Sequence, residues 1–214
     1  MKITGGIFFA FLLLGYCSCK NGEEKKESTA TKNVSKEDSI NKPNQQTAAN
    51  PYDPIDISPM YMSYYPADYP KLKMTKAITS PPVARVIYSR PHLQGRQLFH
   101  DLLKFGEAWR LGANESTELQ LYRGVTIQNK KVKAGRYVLY CIPQRDKWTI
   151  IVNSNIDSWG LQPDSTKDIA RFDVPVKQTN LHLEYFTIIF EKAGNGTELV
   201  MAWDDLEARL PISF

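Results

Sequence analysis

Five residues able to do polar chemistry fall close together in this chain: Arg90, Arg96, Arg110, Asn114 and Glu115. They sit in three short segments between apolar runs, Tyr88-Ser89-Arg90-Pro91, Gly95-Arg96-Gln97-Leu98-Phe99 and Trp109-Arg110-Leu111-Gly112-Ala113-Asn114-Glu115-Ser116-Thr117. Guanidinium groups are planar forks suited to carboxylate or phosphate oxygens. Asn114 adds an amide and Glu115 an anion. The set admits three readings. In the first it is a buried network, with Glu115 paired to an arginine and Asn114 holding a tight turn after Gly112. In the second it is ligand-binding and lines a pocket for an acidic or sugar-like molecule. In the third Glu115 is catalytic, a general acid or base assisted by Arg90 or Arg110.

Other chemistries find little support. His92, His100 and His182 lack metal-ligand spacing, and no Gly-x-Ser-x-Gly elbow or glycine-rich phosphate loop occurs. Asn153, Asn155, Asp157 and Asp164 loosely resemble a calcium loop. Glycine is missing at its sixth position, however, and Asp164 stands at the twelfth where Glu is usual. A plain Asn/Asp-rich loop is expected there, pinned to the core by Trp159-Gly160. The expectation is therefore no metal and no cofactor.

The elements that must position these groups read as β-structure. Period-two or continuous apolar runs predict strands over 83–88, 118–121, 125–127, 136–142, 148–152, 181–190 and 198–203. The 181–190 run is apolar enough to suggest cover on both faces. Gly194-Asn195-Gly196 predicts a hairpin turn. Asp204-Asp205 is expected to turn the chain into a last strand through Leu210. One short helical turn is expected within 98–108. Short strands divided by turn signals predict an all-β fold, a single antiparallel β-sandwich over 80–214. Ahead of it, residues 51–79 alternate Tyr and Pro, which argues against a helix and against a central strand. This stretch is expected to be an extended strap whose tyrosines pack on the domain among Met60, Met62, Leu72 and Met74. A sugar-stacking platform is the functional alternative.

The first residues concern location. One lysine precedes an apolar run over 7–14, too short to span a bilayer, and small residues and cysteines follow. This is the pattern of a lipoprotein signal peptide over 1–18. Cys19 follows small Ser18, whereas Cys17 follows bulky Tyr16, so Cys19 is the expected lipidation site. An ordinary cleaved signal is the alternative. Several acyl chains hold a protein to a membrane where one is marginal, since each buried CH₂ contributes about 0.8 kcal/mol. Residues 19–50 lack aromatics and are expected to form a disordered tether with a reach of about 30 Å. Glu23-Glu24 resembles an acidic surface-export signal, and Asp38-Ser39-Ile40 an O-glycosylation acceptor. With Cys17 removed and Cys19 acylated, Cys141 is the remaining thiol, expected to be a buried small hydrophobe with no disulfide. The net charge of +4 is interspersed rather than striped, which excludes nucleic acid as a partner.

The three polar segments, with Lys133-Ala134-Gly135-Arg136-Tyr137 and Ile142-Pro143, resemble the bacterial lipoprotein family catalogued as domain of unknown function 2911. The resemblance runs from about Ser80 to the C-terminus, and the Ser58-Pro59-Met60 to Tyr69-Pro70 stretch is similar to an N-terminal extension of some members. Leu111 stands where that pattern has Thr, and His100 where it has Gly. The resemblance implies an all-β envelope protein and supplies no reaction. The expected function is thus an outer-membrane lipoprotein of a Gram-negative bacterium. It would be a non-enzymatic binding or accessory protein for an envelope partner or small polar ligand. A hydrolase-type enzyme and a structural subunit of a surface complex are the alternatives.

Overall fold

The computed structural model describes residues 56–214. The expected signal peptide, Cys19 and the tether lie outside them. The described residues fall within one compact unit.

Nine strands form the domain: β1 (Met60–Tyr65), β2 (Ala84–Ser89), β3 (Ala113–Leu121), β4 (Val125–Ile127), β5 (Lys130–Val132), β6 (Gly135–Pro143), β7 (Lys147–Asn153), β8 (Asp168–Ala193) and β9 (Gly196–Ser213). Every pairing is antiparallel, and the order is β1-β2-β3-β6-β7-β8-β9-β4-β5. The all-β antiparallel expectation holds, with the hydrogen bonding running through one continuous sheet.

The long strand β8 makes that continuity possible. Its first part pairs with β7 from Asp168 to Pro175, and its second pairs with β9 from Val176 to Ala193. Register shifts between Gln178 and Thr187 bend it, as bulges do. The sheet thereby curls so that β1 and β2 face the late part of β8. The Ile188 amide donates to the Tyr88 hydroxyl at 2.7 Å, and the Phe190 amide to Ser63 Oγ at 3.3 Å.

Alternation decides which side chains enter the enclosed core. Ala84, Val86 and Tyr88 point inward from β2, and Phe186, Ile188 and Phe190 from β8. Trp109, Trp148, Phe186 and Trp203 meet edge-on or stacked at its centre, with ring centroids 4.8–6.0 Å apart. Burying one such side chain contributes about 1.5–3 kcal/mol, and aromatic pairing adds about 0.5–1.5 kcal/mol. Cys141 is fully buried among them, and burial pushes its thiol pKa well up, as expected of a small hydrophobe.

Several expectations need correction. Residues 181–190 are covered on one face only, because Leu181 and Tyr185 are exposed while Phe186 and Ile188 are buried. Asp204-Asp205 does not turn the chain. Asp204 adopts φ +56° inside β9, a bulge opposite β8 that absorbs the bend. The 51–79 stretch supplies β1 as an edge strand and also a helix, α1 (Tyr69–Met74), because Pro70 falls in its first turn where no amide donor is needed. Its methionines do not pack: Met60, Met62 and Met74 are exposed, and Tyr65 makes the contacts instead, against Phe190 and Phe214. The short helical turn appears at Leu98–Leu102.

Candidate functional site

The start of β3 is locally unusual. Between the cross-strand pairs Ile87↔Glu118 and Ser89↔Ala113, β2 contributes only Tyr88, while β3 contributes Asn114, Glu115, Ser116 and Thr117. The surplus chain must arch away from β2. Two residues in left-handed conformation make the arch, Leu111 at φ +53° and Asn114 at φ +57°. Asparagine tolerates that region; leucine costs about 1–2 kcal/mol there. Three contacts hold Leu111 in place. Its side chain is fully buried, its carbonyl accepts from Thr117 Oγ1 at 2.6 Å, and the next carbonyl, of Gly112, accepts from Trp109 Nε1 at 3.2 Å.

The arch forms one wall of a cleft of about 450 Å³. Ile87, Tyr88, Ser89 and Met60 form the floor and far side. Glu115, Ser116 and Glu118 form the near wall, and Asp157, Ser158 and Trp159 close it from the loop after β7. That loop is internally braced. Asn153 donates to the Asp164 carbonyl and to Asp168, each at 2.8 Å, and accepts from the Asn155 amide at 2.7 Å. Lys167 donates to Asn155, and Asp164 accepts from the Thr166 amide. The Asn and Asp side chains singled out for calcium are thus engaged within the loop, apart from Asp157, which faces the cleft.

Two of the cleft's three carboxylates, Glu118 and Asp157, pair with Arg136 of β6, which is not itself a lining residue. Its Nη2 donates to both Glu118 oxygens at 2.9 and 3.1 Å and to Asp157 at 3.3 Å. Glu118 and then Asp157 raise the guanidinium pKa. Glu115 is exposed and has no hydrogen bond or ion pair among the described residues. Ser116 and Ser158 share a hydrogen bond at 3.1 Å across the cleft.

The five residues expected to act together separate. Arg90 donates to the Phe186 carbonyl at 3.1 Å and to Thr187 at 3.0 Å, and lies between the Tyr61 and Tyr185 rings at 5.3 and 5.4 Å. It fastens β1 and β2 to β8. Arg96 donates to the Leu93 and His92 carbonyls and closes its own turn. Asn114 donates to Asp56 at 3.1 Å. Arg110 lines a neighbouring hollow and reaches the cleft through Trp159, donating to its carbonyl at 3.3 Å with the ring centroid 6.0 Å away. Burial lowers the Arg110 pKa. Only Glu115 of the five lines the cleft directly, and no arginine pairs with it among the described residues, so the buried paired network does not form.

Residues 70–212 match the family described as Protein of unknown function (DUF2911). The chain belongs to the DUF2911 family. The match starts in α1, somewhat earlier than expected, and ends in β9, so the DUF2911 region holds every cleft residue except Met60. No curated protein and no solved structure matches the chain.

Within the DUF2911 domain, sequence reasoning missed two groups that matter. Trp159 was expected in the core, yet it is 57% exposed and forms a rim of the cleft. Its setting between Ser158 and Gly160, in a polar loop, was the available signal. Arg136 gave none. It lies opposite Gln120 while Glu118 lies opposite Val138, so their ion pair is a diagonal one that exists only in this register.

Proposed function

We propose that this chain is a lipid-anchored protein of the bacterial outer membrane, acylated at Cys19, whose DUF2911 domain holds a small polar ligand in the cleft without transforming it. The N-terminal residue pattern supports the anchor. Glu115 carries the binding reading: an unpaired, exposed carboxylate across an open cleft from an exposed indole. Large aromatic surface left in water beside convergent polar groups is a mark of binding sites. A binding role is favoured over a catalytic one because Glu115 makes no hydrogen bond or ion pair among the described residues, so no partner is in place to pass a proton to or from it. Arg90 and Arg96 spend their forks on backbone carbonyls and the Thr187 hydroxyl, so the reading favours a hydroxylated ligand over an acidic one.

Two measurements test the proposal. Cys19→Ala should move the protein out of the membrane fraction; unchanged retention refutes that attachment point. For the cleft, the purified protein is screened by thermal shift against sugars, sugar acids and phosphates. Stabilising compounds should lose their effect in Trp159→Ala and weaken in Glu115→Gln. Hits that survive both substitutions unaltered place the ligand elsewhere.

A further inference from the structure

Resting on that reading, we infer that the cleft takes a neutral saccharide, seated with a sugar ring against the Trp159 indole and its hydroxyls on Glu115, Glu118, Asp157 and the Ser116–Ser158 pair.

The four tryptophans divide sharply. Trp109, Trp148 and Trp203 pack on one another or on Phe186, whereas Trp159 offers an open ring at the cleft rim. One face of a pyranose is a patch of C–H groups that packs on an aromatic surface, while its hydroxyls radiate from the ring edge. The surroundings of Trp159 answer that pattern. Glu115 is a free acceptor. A carboxylate has about four acceptor positions, so Glu118 and Asp157 retain capacity beyond Arg136. The two serine hydroxyls both donate and accept.

This mixture of donors and acceptors selects among ligand classes. A hydroxyl is donor and acceptor at once and uses both kinds of group. An anion would face three carboxylates that line the cleft, Glu115, Glu118 and Asp157, while Arg136, which pairs with two of them, does not line it. A simple ammonium only donates and would give the Ser116 and Ser158 hydroxyls no acceptor. It would also find one exposed ring rather than the aromatic cage such ions favour. The volume of about 450 Å³ lies inside the range of small-molecule sites, roughly 300–1,000 Å³.

The test uses the full chain in detergent on an array of neutral oligosaccharides, followed by tryptophan-fluorescence titration with maltose, cellobiose and diacetylchitobiose. Sialic acid and glucose 6-phosphate serve as anionic probes, choline and spermidine as cationic ones. A neutral saccharide should bind and shield one indole from acrylamide. Trp159→Ala should weaken binding roughly tenfold, which corresponds to about 1.4 kcal/mol. Trp159→Phe should recover part of it, and Glu115→Gln should weaken it several-fold with an unchanged circular-dichroism spectrum. Saccharide binding indifferent to Trp159→Ala overturns the inference. If choline, spermidine or an anion binds at Trp159 and no saccharide does, the ligand class is wrong while the binding-protein reading stands. If no probe binds, both fall.

Discussion

The Arg110 guanidinium donates a hydrogen bond of 3.3 Å to the Trp159 carbonyl and lies 6.0 Å from the centre of the same residue's indole. One side chain thus holds both the backbone and the ring of a residue far along the sequence. Arg110 precedes β3, and Trp159 belongs to the loop after β7, so the contact joins the two walls of the cleft. Arg110 acts on that site by positioning Trp159 rather than by lining the cleft.

Arg110→Ala should therefore loosen the loop more than the fold. Amide exchange over 157–160 should speed up and acrylamide quenching of tryptophan emission should rise. Global stability should change by less than about 1 kcal/mol, the scale of a partly exposed cation–π contact. Exchange in that loop at the wild-type rate would mean that the braces from Asn153 suffice without Arg110.

Gly160 is the hinge of the same arrangement. It adopts φ +81°, and an added Cβ would collide with Ser116 Oγ and lie 3.0 Å from Arg110 Cβ. Gly106 has nearly the same conformation, φ +79°, with open space around it. Gly106→Ala should cost about 1 kcal/mol, the backbone term alone. Gly160→Ala should cost about 1–3 kcal/mol and abolish ligand binding, because Ser116 must move. Urea denaturation of both variants isolates the crowding; equal losses would show that the neighbours yield freely.

Alkaline pH should reveal the anchor of the loop. Tyr140 is buried as a residue, and its hydroxyl donates to both Asp168 oxygens, at 2.9 and 3.0 Å. Burial first, then the hydrogen bond and charge of Asp168, push its pKa up to about 12 from 10.0. The unfolded chain releases this proton at lower pH than the folded one. Above pH 10 the unfolded state binds fewer protons, and stability falls as pH rises toward about 12. Tyr140→Phe should lack this component, so its stability should decline less steeply over that interval in chemical denaturation. Parallel curves would contradict the assignment.

Much of the sheet was legible along the chain. Alternation at 84–89 and 147–153 located β2 and β7 to within a residue or two, and the Gly194-Asn195 turn located the β8–β9 hairpin. These are local properties: one face apolar, a turn that needs a glycine at positive φ. The early part of β8 escaped notice, although Ala170, Phe172 and Val174 alternate inward. Asp173 among them and Pro175 just after them are poor strand formers, and pairing with β7 overrides them. β5 was missed because Lys130 and Lys131 leave Val132 as its one apolar residue, whereas β4, equally short, alternates Val125 and Ile127 about Thr126.

The chain alone determined that strands would build the domain and that Cys141 would be interior. Those outcomes follow from side-chain alternation and burial, which neighbours in sequence already encode. Tertiary structure alone decided which partners the charged groups would find. Arg90 and Arg96 go to carbonyls, Arg136 goes diagonally to Glu118, and Trp159 stays in water beside Glu115. A guanidinium fits a carbonyl, a carboxylate or an aromatic face almost equally well. Only the register of the sheet and the arch at β3 determine which of these lies within reach.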